Sequence, residues 1–288
     1  MTDRLLRGIS RDKLHRVFVA RTTDAVQEAV TRHQLAGVPA MALARGMTAA
    51  LMAAATDPEW HRVSFQWVTR GALGTMHVDV RAPGALRGYV NLAEDAAESV
   101  GRPLVDWVRP GVLVALRQEA SGRYSQGQIA IDPGEVDVDV ETYLRRSEQV
   151  ASGLRVLAAE DAAGGPRDVV GVLVQTLPGG DPGRAILPAE FGERRRGPGP
   201  LEELAAAALP GMEIDMVAET RLRFACACSR SRVEMSIRLL GASDLEDMIA
   251  QHEGTSVRCE FCASVYDVSV ADLGRILEGL EQHPIGEA

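Results

Sequence analysis

All four cysteines of this 288-residue chain lie between Phe224 and Tyr266, as Cys226-Ala-Cys228 and Cys259-Glu-Phe-Cys262, with 30 residues between the pairs. Four thiolates can surround one Zn²⁺ tetrahedrally, and short C-x(n)-C spacings let each pair take two corners. A C-x-x-C pair makes a tight knuckle, and a C-x-C pair turns both sulfurs toward one side of an extended segment. The expected cofactor is one Zn²⁺ per chain, held by Cys226, Cys228, Cys259 and Cys262 in their reduced form. Structural cysteines would sit in apolar runs, whereas Ser229, Arg230, Ser231 and Glu260 make these surroundings polar. Two structural disulfides would suit a secreted chain, and nothing here suggests secretion. His252 also lies in the gap, but four thiolates fill a tetrahedron without it. Spacing alone does not separate a zinc that only staples a module from one whose thiolates are also sensors.

Residues so far apart in sequence meet only if the gap folds back. Ser231-x-x-Glu234 and Ser243-x-x-Glu246 read as capping boxes opening two helices, with Gly241 ending the first. Ser269-x-x-Asp272 opens a weaker third helix that carries Leu273, Ile276, Leu277 and Leu280 toward a core. The gap is therefore expected to be a helical hairpin that returns the second pair to the first. A module this small buries little surface, and structural zinc commonly supplies much of the folding free energy in such modules, roughly 10–16 kcal/mol of apparent binding. Zinc also keeps sulfur as thiolate, the species that oxidants attack.

The order C-x-C, a gap near thirty, then C-x-x-C resembles the heat-shock protein 33 family of redox-regulated holdase chaperones. Phe224-Ala-Cys-Ala-Cys-Ser-Arg230 and Cys259-Glu-Phe-Cys262 followed by Tyr266 carry the likeness. So do Tyr143-Leu-Arg-Arg-Ser-Glu-Gln149, similar to that family's Tyr-x-x-x-Ser-Glu-Gln segment, and Gly171-Val-Leu-Val-Gln-Thr-Leu-Pro178 after it. The resemblance implies neighbour pairing on oxidation, Cys226 with Cys228 and Cys259 with Cys262. It implies loss of the zinc fold, destabilisation of the adjacent linker and capture of unfolding client proteins without nucleotide, with a homodimer as an oxidised form. A C-x-C disulfide closes a very small ring and is expected to be strained and readily reduced, which suits a sensor. The chain departs from the family in a short Gly211–Thr220 stretch, in Ser231 where an acidic residue is usual, and in Ala263 after the last cysteine. If Ala263 adopts a left-handed turn, it costs about 1–2 kcal/mol relative to glycine.

Other functions fit less well. A thiol–disulfide oxidoreductase usually places C-x-x-C at a helix N-terminus beside a β-α-β unit. A zinc enzyme keeps an open coordination position, which four cysteines do not leave. A zinc-stapled protein-binding module without redox response shares the spacing and is separated by whether zinc survives mild oxidant. Lys13 is the only lysine, so no Walker-type G-x-x-x-x-G-K exists. A net charge of −9 argues against an electrostatic nucleic-acid partner. The N-terminal residues lack an apolar run of signal-peptide length, and the apolar stretch around Ala40–Ala55 is broken by Arg45 and reads as too short for a bilayer. These features predict a cytoplasmic protein without a membrane partner, where thiols stay reduced.

The length suits two domains, and the hydrophobic fraction of 46% against 4% aromatics puts Val, Leu, Ala and Met in the cores. The expected fold class is α+β. Residues 1–178 form a client-binding domain of mostly antiparallel sheet packed with helices, 179–222 a flexible linker, and 223–288 a small helical zinc-binding domain. Strands are expected at Leu14–Ala20, Arg62–Thr69, Thr75–Val80, Leu86–Asn91, Val112–Gln118, Tyr124–Ile131, Leu154–Ala159 and Val169–Leu177. Helices follow Thr23-Asp24 and Pro39. The second runs to about Ala55 and is apolar on most faces, with Met41, Met47 and Met52 read as core. Glu135, Asp137, Asp139 and Glu141 alternate with valines and read as a strand with a solvated acidic face, its carboxylates about 7 Å apart. Tyr143–Val150 reads as helix; Ser147 and Glu148 have no histidine nearby to make a catalytic set. Pro178 to Pro200 holds five prolines and six glycines beside Glu193-Arg-Arg-Arg196, a composition that cannot offset its ordering entropy. Leu201–Leu209 reads as a short helix.

Overall fold

The structure is a computed structural model describing residues 2–57, 59–132, 134–187, 191, 199–252 and 254–282. It divides into two compact units, Met1–Ala225 and Cys226–Ala288. The Glu193–Arg196 run lies outside the described residues.

The first unit is α+β, with two antiparallel sheets where one was expected. One sheet has the order β10 (Ile214–Arg221), β1 (Arg4–Ser10), β2 (His15–Arg21), β9 (Pro166–Thr176), β8 (Ser152–Glu160). The other runs β11 (Arg223–Phe224), β5 (Ala85–Asn91), β4 (Thr75–Arg81), β3 (Trp60–Thr69), β6 (Gly111–Glu119), β7 (Tyr124–Ile131), with β11 alone parallel to its neighbour. Helix α1 spans Thr23–Arg32, and α2 (Gly37–Ala55) packs against strands of both sheets. Met47 and Met52 of α2 are fully buried, and Met41 is half-buried. A Cβ at Gly171 would lie 2.7 Å from Thr48 Cγ2, so glycine there lets the helix settle close onto β9. Helix α2 is long and apolar enough to cross a membrane, contrary to the sequence expectation, but most of it is buried in the fold. Its Arg45 is accommodated by Glu135 at 2.9 Å and Asp137 at 2.6 Å. The short helix α3 spans Leu104–Val108.

The acidic alternation is corrected. Residues Val136–Arg146 form helix α4, not a strand, and Asp137 and Asp139 are buried rather than solvated. Val136, Val140, Tyr143 and Leu144 make a helical stripe into the core, a period the valine–acid alternation conceals. The two aspartates sit in the first turn, where the helix dipole favours negative charge. Asp137 accepts the Val156 N–H at 2.9 Å. Burial pushes the Asp139 carboxyl up to about 7. The helix also ends earlier than read, with Ser147 as its C-cap. Tyr143 meets Phe65 edge-on at 5.5 Å, and Glu148 pairs at 2.5 Å with Arg117, which donates to the Ala53 carbonyl at the end of α2. These contacts tie β6 and α4 to α2.

The first sheet is apolar on both faces. Leu5, Val169 and Leu173 join the core formed with α1 and α2. Leu6, Val17, Val19, Val170, Val172 and Val174 form a second core with Leu201, Leu204, Ala205 and Ala208 of helix α5 (Leu201–Ala208). Residues 201–221, within the span read as linker, thus supply α5 and the edge strand β10 to the first unit. Strand β10 pairs with β1 from Arg4↔Arg221 to Ser10↔Ile214 and is largely exposed.

Candidate metal centre

Cys226 and Cys228 open the second unit, just before α6 (Arg230–Arg238). Helix α7 (Ala242–Ala250) follows, then strands β12 (Thr255–Arg258) and β13 (Val265–Val268), then α8 (Val270–Gln282). Cys259 and Cys262 occupy the turn of the β12–β13 hairpin, so a β-hairpin as well as the helices returns the second pair. Sequence reading missed this hairpin because its four-residue strands expose alternate residues and carry no apolar run. Val233, Ile237, Leu245, Val268, Leu273, Ile276 and Leu280 form the small core beneath the cysteines, the last three as the sequence indicates.

The caps refine the expected frame. Ser229, not Ser231, caps α6, its side chain accepting the Arg232 N–H. Gly241, at φ +93, ends α6 as expected and is also the N-cap of α7, a role read for Ser243. The third box forms as read: Ser269 Oγ accepts the Asp272 N–H at 3.2 Å, and Asp272 Oδ2 accepts the Ser269 N–H at 2.9 Å. These bonds from Ser269, backbone first, hold the half-buried Asp272 carboxyl below the usual carboxylate range. Arg230, two residues after Cys228, donates to the Asp267 carbonyl at 2.9 Å and to Asp272 at 2.6 Å, anchoring the first pair to β13 and α8. Arg232 donates to the Ala227 carbonyl at 3.0 Å and fixes the C-x-C turn.

These anchors bring all four sulfurs within 4.8 Å of one another. Cys226 Sγ lies 3.7 Å from Cys259 Sγ, and Cys228 Sγ lies 3.3 Å from Cys262 Sγ. None of the four is joined in a disulfide. A tetrahedral centre with Zn–S bonds near 2.3 Å has S···S edges of about 3.8 Å, so the set fits a four-thiolate metal ion. His252 stands outside the cluster, exposed and at φ +55 just after α7. Ala263 adopts φ +56, the left-handed turn anticipated from sequence, and its N–H donates to the Cys259 carbonyl at 2.8 Å.

Two neighbouring hydroxyls escaped sequence reading as contacts. Tyr266 Oη donates to Cys228 Sγ at 3.1 Å, and Ser264 Oγ lies 3.3 Å from Cys262 Sγ. In the thiol form the sulfurs are unequal. Burial raises the Cys262 thiol, but Ser264, through its hydroxyl and N–H, together with the Cys228 and Cys259 thiols, brings it down to about 7. Burial and the neighbouring sulfurs push Cys228 up to about 12 despite the Tyr266 bond. Cys259 is raised, chiefly by burial. The bond to Cys228, more than burial, pushes Tyr266 up to about 12. One sulfur therefore ionises first and is held by protonated neighbours, as expected where like charges crowd one site.

Two sheets built around a buried helix, followed by a small unit that gathers four sulfurs, define a two-part α+β protein with a four-cysteine cluster that could hold a metal ion. The family model described as Hsp33 protein matches residues 3–269, and the chain belongs to that family. It is 32% identical to a 33 kDa chaperonin of Synechococcus sp. (strain JA-3-3Ab), over 99% of this chain and 92% of that one. It is 29% identical to a 33 kDa chaperonin of Geobacter sp. (strain M21), over 96% and 97%. In fold it is similar to the crystal structure of the 33 kDa chaperonin (heat shock protein 33 homolog) of Thermotoga maritima. That match has a TM-score of 0.83 at 19% identity and covers 98% of this chain and all of the other. Members of the family are chaperones rather than enzymes, and membership supports a chaperone function here.

Proposed function

We propose that this chain is a cytoplasmic, ATP-independent holdase whose activity is switched by oxidation of Cys226, Cys228, Cys259 and Cys262. The observation that carries the reading is the convergence of four cysteine sulfurs, within 4.8 Å, from the start and the middle of a unit with little core of its own. In the reduced form these residues hold one Zn²⁺, which when bound supplies a cross-link and keeps the sulfurs as thiolates. Oxidation pairs Cys226 with Cys228 and Cys259 with Cys262, leaving no thiolate ligand, so the second unit loses its cross-link.

The linker in this reading is residues 179–222, and its lability has a physical basis. An eight-residue helix has no stability of its own in water, so α5 persists only through its apolar face. Strand β10 lies at a sheet edge with β1 as its neighbour. Its ion pairs, Arg4 with Glu219 and Lys13 with Asp215, are exposed and contribute at most about 1 kcal/mol each. Undocking of α5 uncovers Leu6, Val17, Val19, Val170, Val172 and Val174, an apolar sheet face suited to unfolding clients. A homodimer as an oxidised form completes the proposal.

The test measures bound zinc and free thiols before and after peroxide, beside aggregation of a thermally unfolding client. One zinc per reduced chain, lost as four thiols disappear and suppression begins, is the expected result. Zinc loss without suppression refutes the holdase; reduced protein without zinc refutes the metal centre.

A further inference from the structure

We infer that the Tyr266 hydroxyl guards Cys228, slowing its attack on peroxide, and so sets the oxidant threshold of the Cys226–Cys228 pair. The inference rests on the reading of the four cysteines as redox-active zinc ligands. Tyr266 stands on β13, opposite Val257 of β12, and its hydroxyl reaches from the hairpin bearing Cys259 and Cys262 to a sulfur of the other pair. Its ring packs against the core of the second unit, so the hydroxyl is held in place by the body of the side chain. The remaining donors around the sulfurs differ in kind. Cys259 takes backbone N–H groups of Phe261 and Cys262, and Cys262 has Ser264 beside it. Cys228 is the sulfur given a phenol.

The chemistry follows from where the electrons go. A thiolate attacks one peroxide oxygen, the O–O bond breaks, and a sulfenic acid forms with release of hydroxide. The neighbouring thiolate then attacks that sulfur, forms the S–S bond and expels the second hydroxide. In sum, two thiolates, one peroxide and two protons give one disulfide and two waters. A donor bonded to the thiolate stabilises the charge that must leave sulfur, and that bond weakens as the reaction proceeds. Tyr266 therefore acts as a positioning residue that lowers the nucleophilicity of Cys228.

The test uses full-length, zinc-loaded protein, with wild type compared with Tyr266→Phe, which keeps the ring. Hydrogen peroxide is added, and each disulfide is followed by quenched alkylation and mass spectrometry. The expected result is Cys226–Cys228 pairing roughly threefold to tenfold faster in the variant, with Cys259–Cys262 unchanged, the scale of one charge-assisted hydrogen bond partly weakened in the transition state. Unchanged rates at both pairs overturn the inference, and equal acceleration of both overturns it as well, since that marks loosened packing. Ser264→Ala supplies a second comparison: acceleration confined to Cys259–Cys262 supports control by individual donors. Wild-type protein that binds no zinc, or does not oxidise, refutes the underlying redox reading instead, and that result is read before any variant is compared.

Discussion

Leu204→Ala is expected to produce chaperone activity without oxidant. Leu204 is 1% exposed and sits among Val17, Val19, Val170 and Val172 on the sheet face that α5 covers. Truncating a buried leucine to alanine costs about 2.7–5 kcal/mol. Because α5 is too short to persist undocked, most of that cost falls on its local docking equilibrium. Taking about 3 kcal/mol, the undocked population rises on the order of 150-fold, since each 1.4 kcal/mol is a factor of ten. The assay is suppression of client aggregation under full reduction, with bound zinc measured in parallel and amide exchange reporting the opening of α5. Leu73→Ala is the control, because Leu73 is fully buried in the other core and its loss lowers global stability without touching α5. Suppression by Leu204→Ala with zinc retained, and none by Leu73→Ala, is the expected pattern. If amides of α5 open but no client is held, the covered sheet face is not the client surface. If Leu73→Ala is equally active, general destabilisation explains the effect.

Three further outcomes are expected. Ala263→Gly relieves left-handed strain of about 1–2 kcal/mol against an unfolded-state entropy cost of about 0.4–1 kcal/mol. Zinc competition against a chromophoric chelator should then show tighter retention, and weaker retention would argue against strain at Ala263. Asp139 has its carboxyl raised to about 7 in the fold, so the folded state binds more protons than the unfolded chain between roughly pH 4 and 7. Its contribution is therefore intact in acid and lost as pH rises through 7. Asp139→Asn keeps the shape of the side chain without its charge and should raise the melting temperature at pH 8 more than at pH 5; an equal shift at both would contradict the assignment. Arg230→Ala removes the bridge from Cys228's neighbour to Asp267 and Asp272, and should speed zinc loss to a chelator while leaving the first unit's melting unchanged.

The misreadings have two causes. Residues 135–141 alternate acid with valine, and a period of two predicts a strand if only charge is followed. The stripe of Val136, Val140, Tyr143 and Leu144 belongs to a helix, and buried Asp137 is tolerated because Arg45 and a backbone N–H from β8 meet it. Strands β1 and β10 escaped notice for the opposite reason. Leu5 and Leu6 are adjacent and both buried, on opposite faces of one sheet, so no alternation marks β1. Strand β10 is exposed along most of its length and carries no apolar pattern.

The amino-acid order by itself determined the four-sulfur set and the outer β-hairpins. The thiol spacing within each pair and period-two patterning are local properties, legible in the order of residues. The tertiary structure alone decided that α5 covers a second apolar face, that Asp137 and Asp139 are buried, and that Tyr266 reaches Cys228. Each of these joins residues far apart in the chain, and such contacts arise only when the packed elements bring their surfaces together.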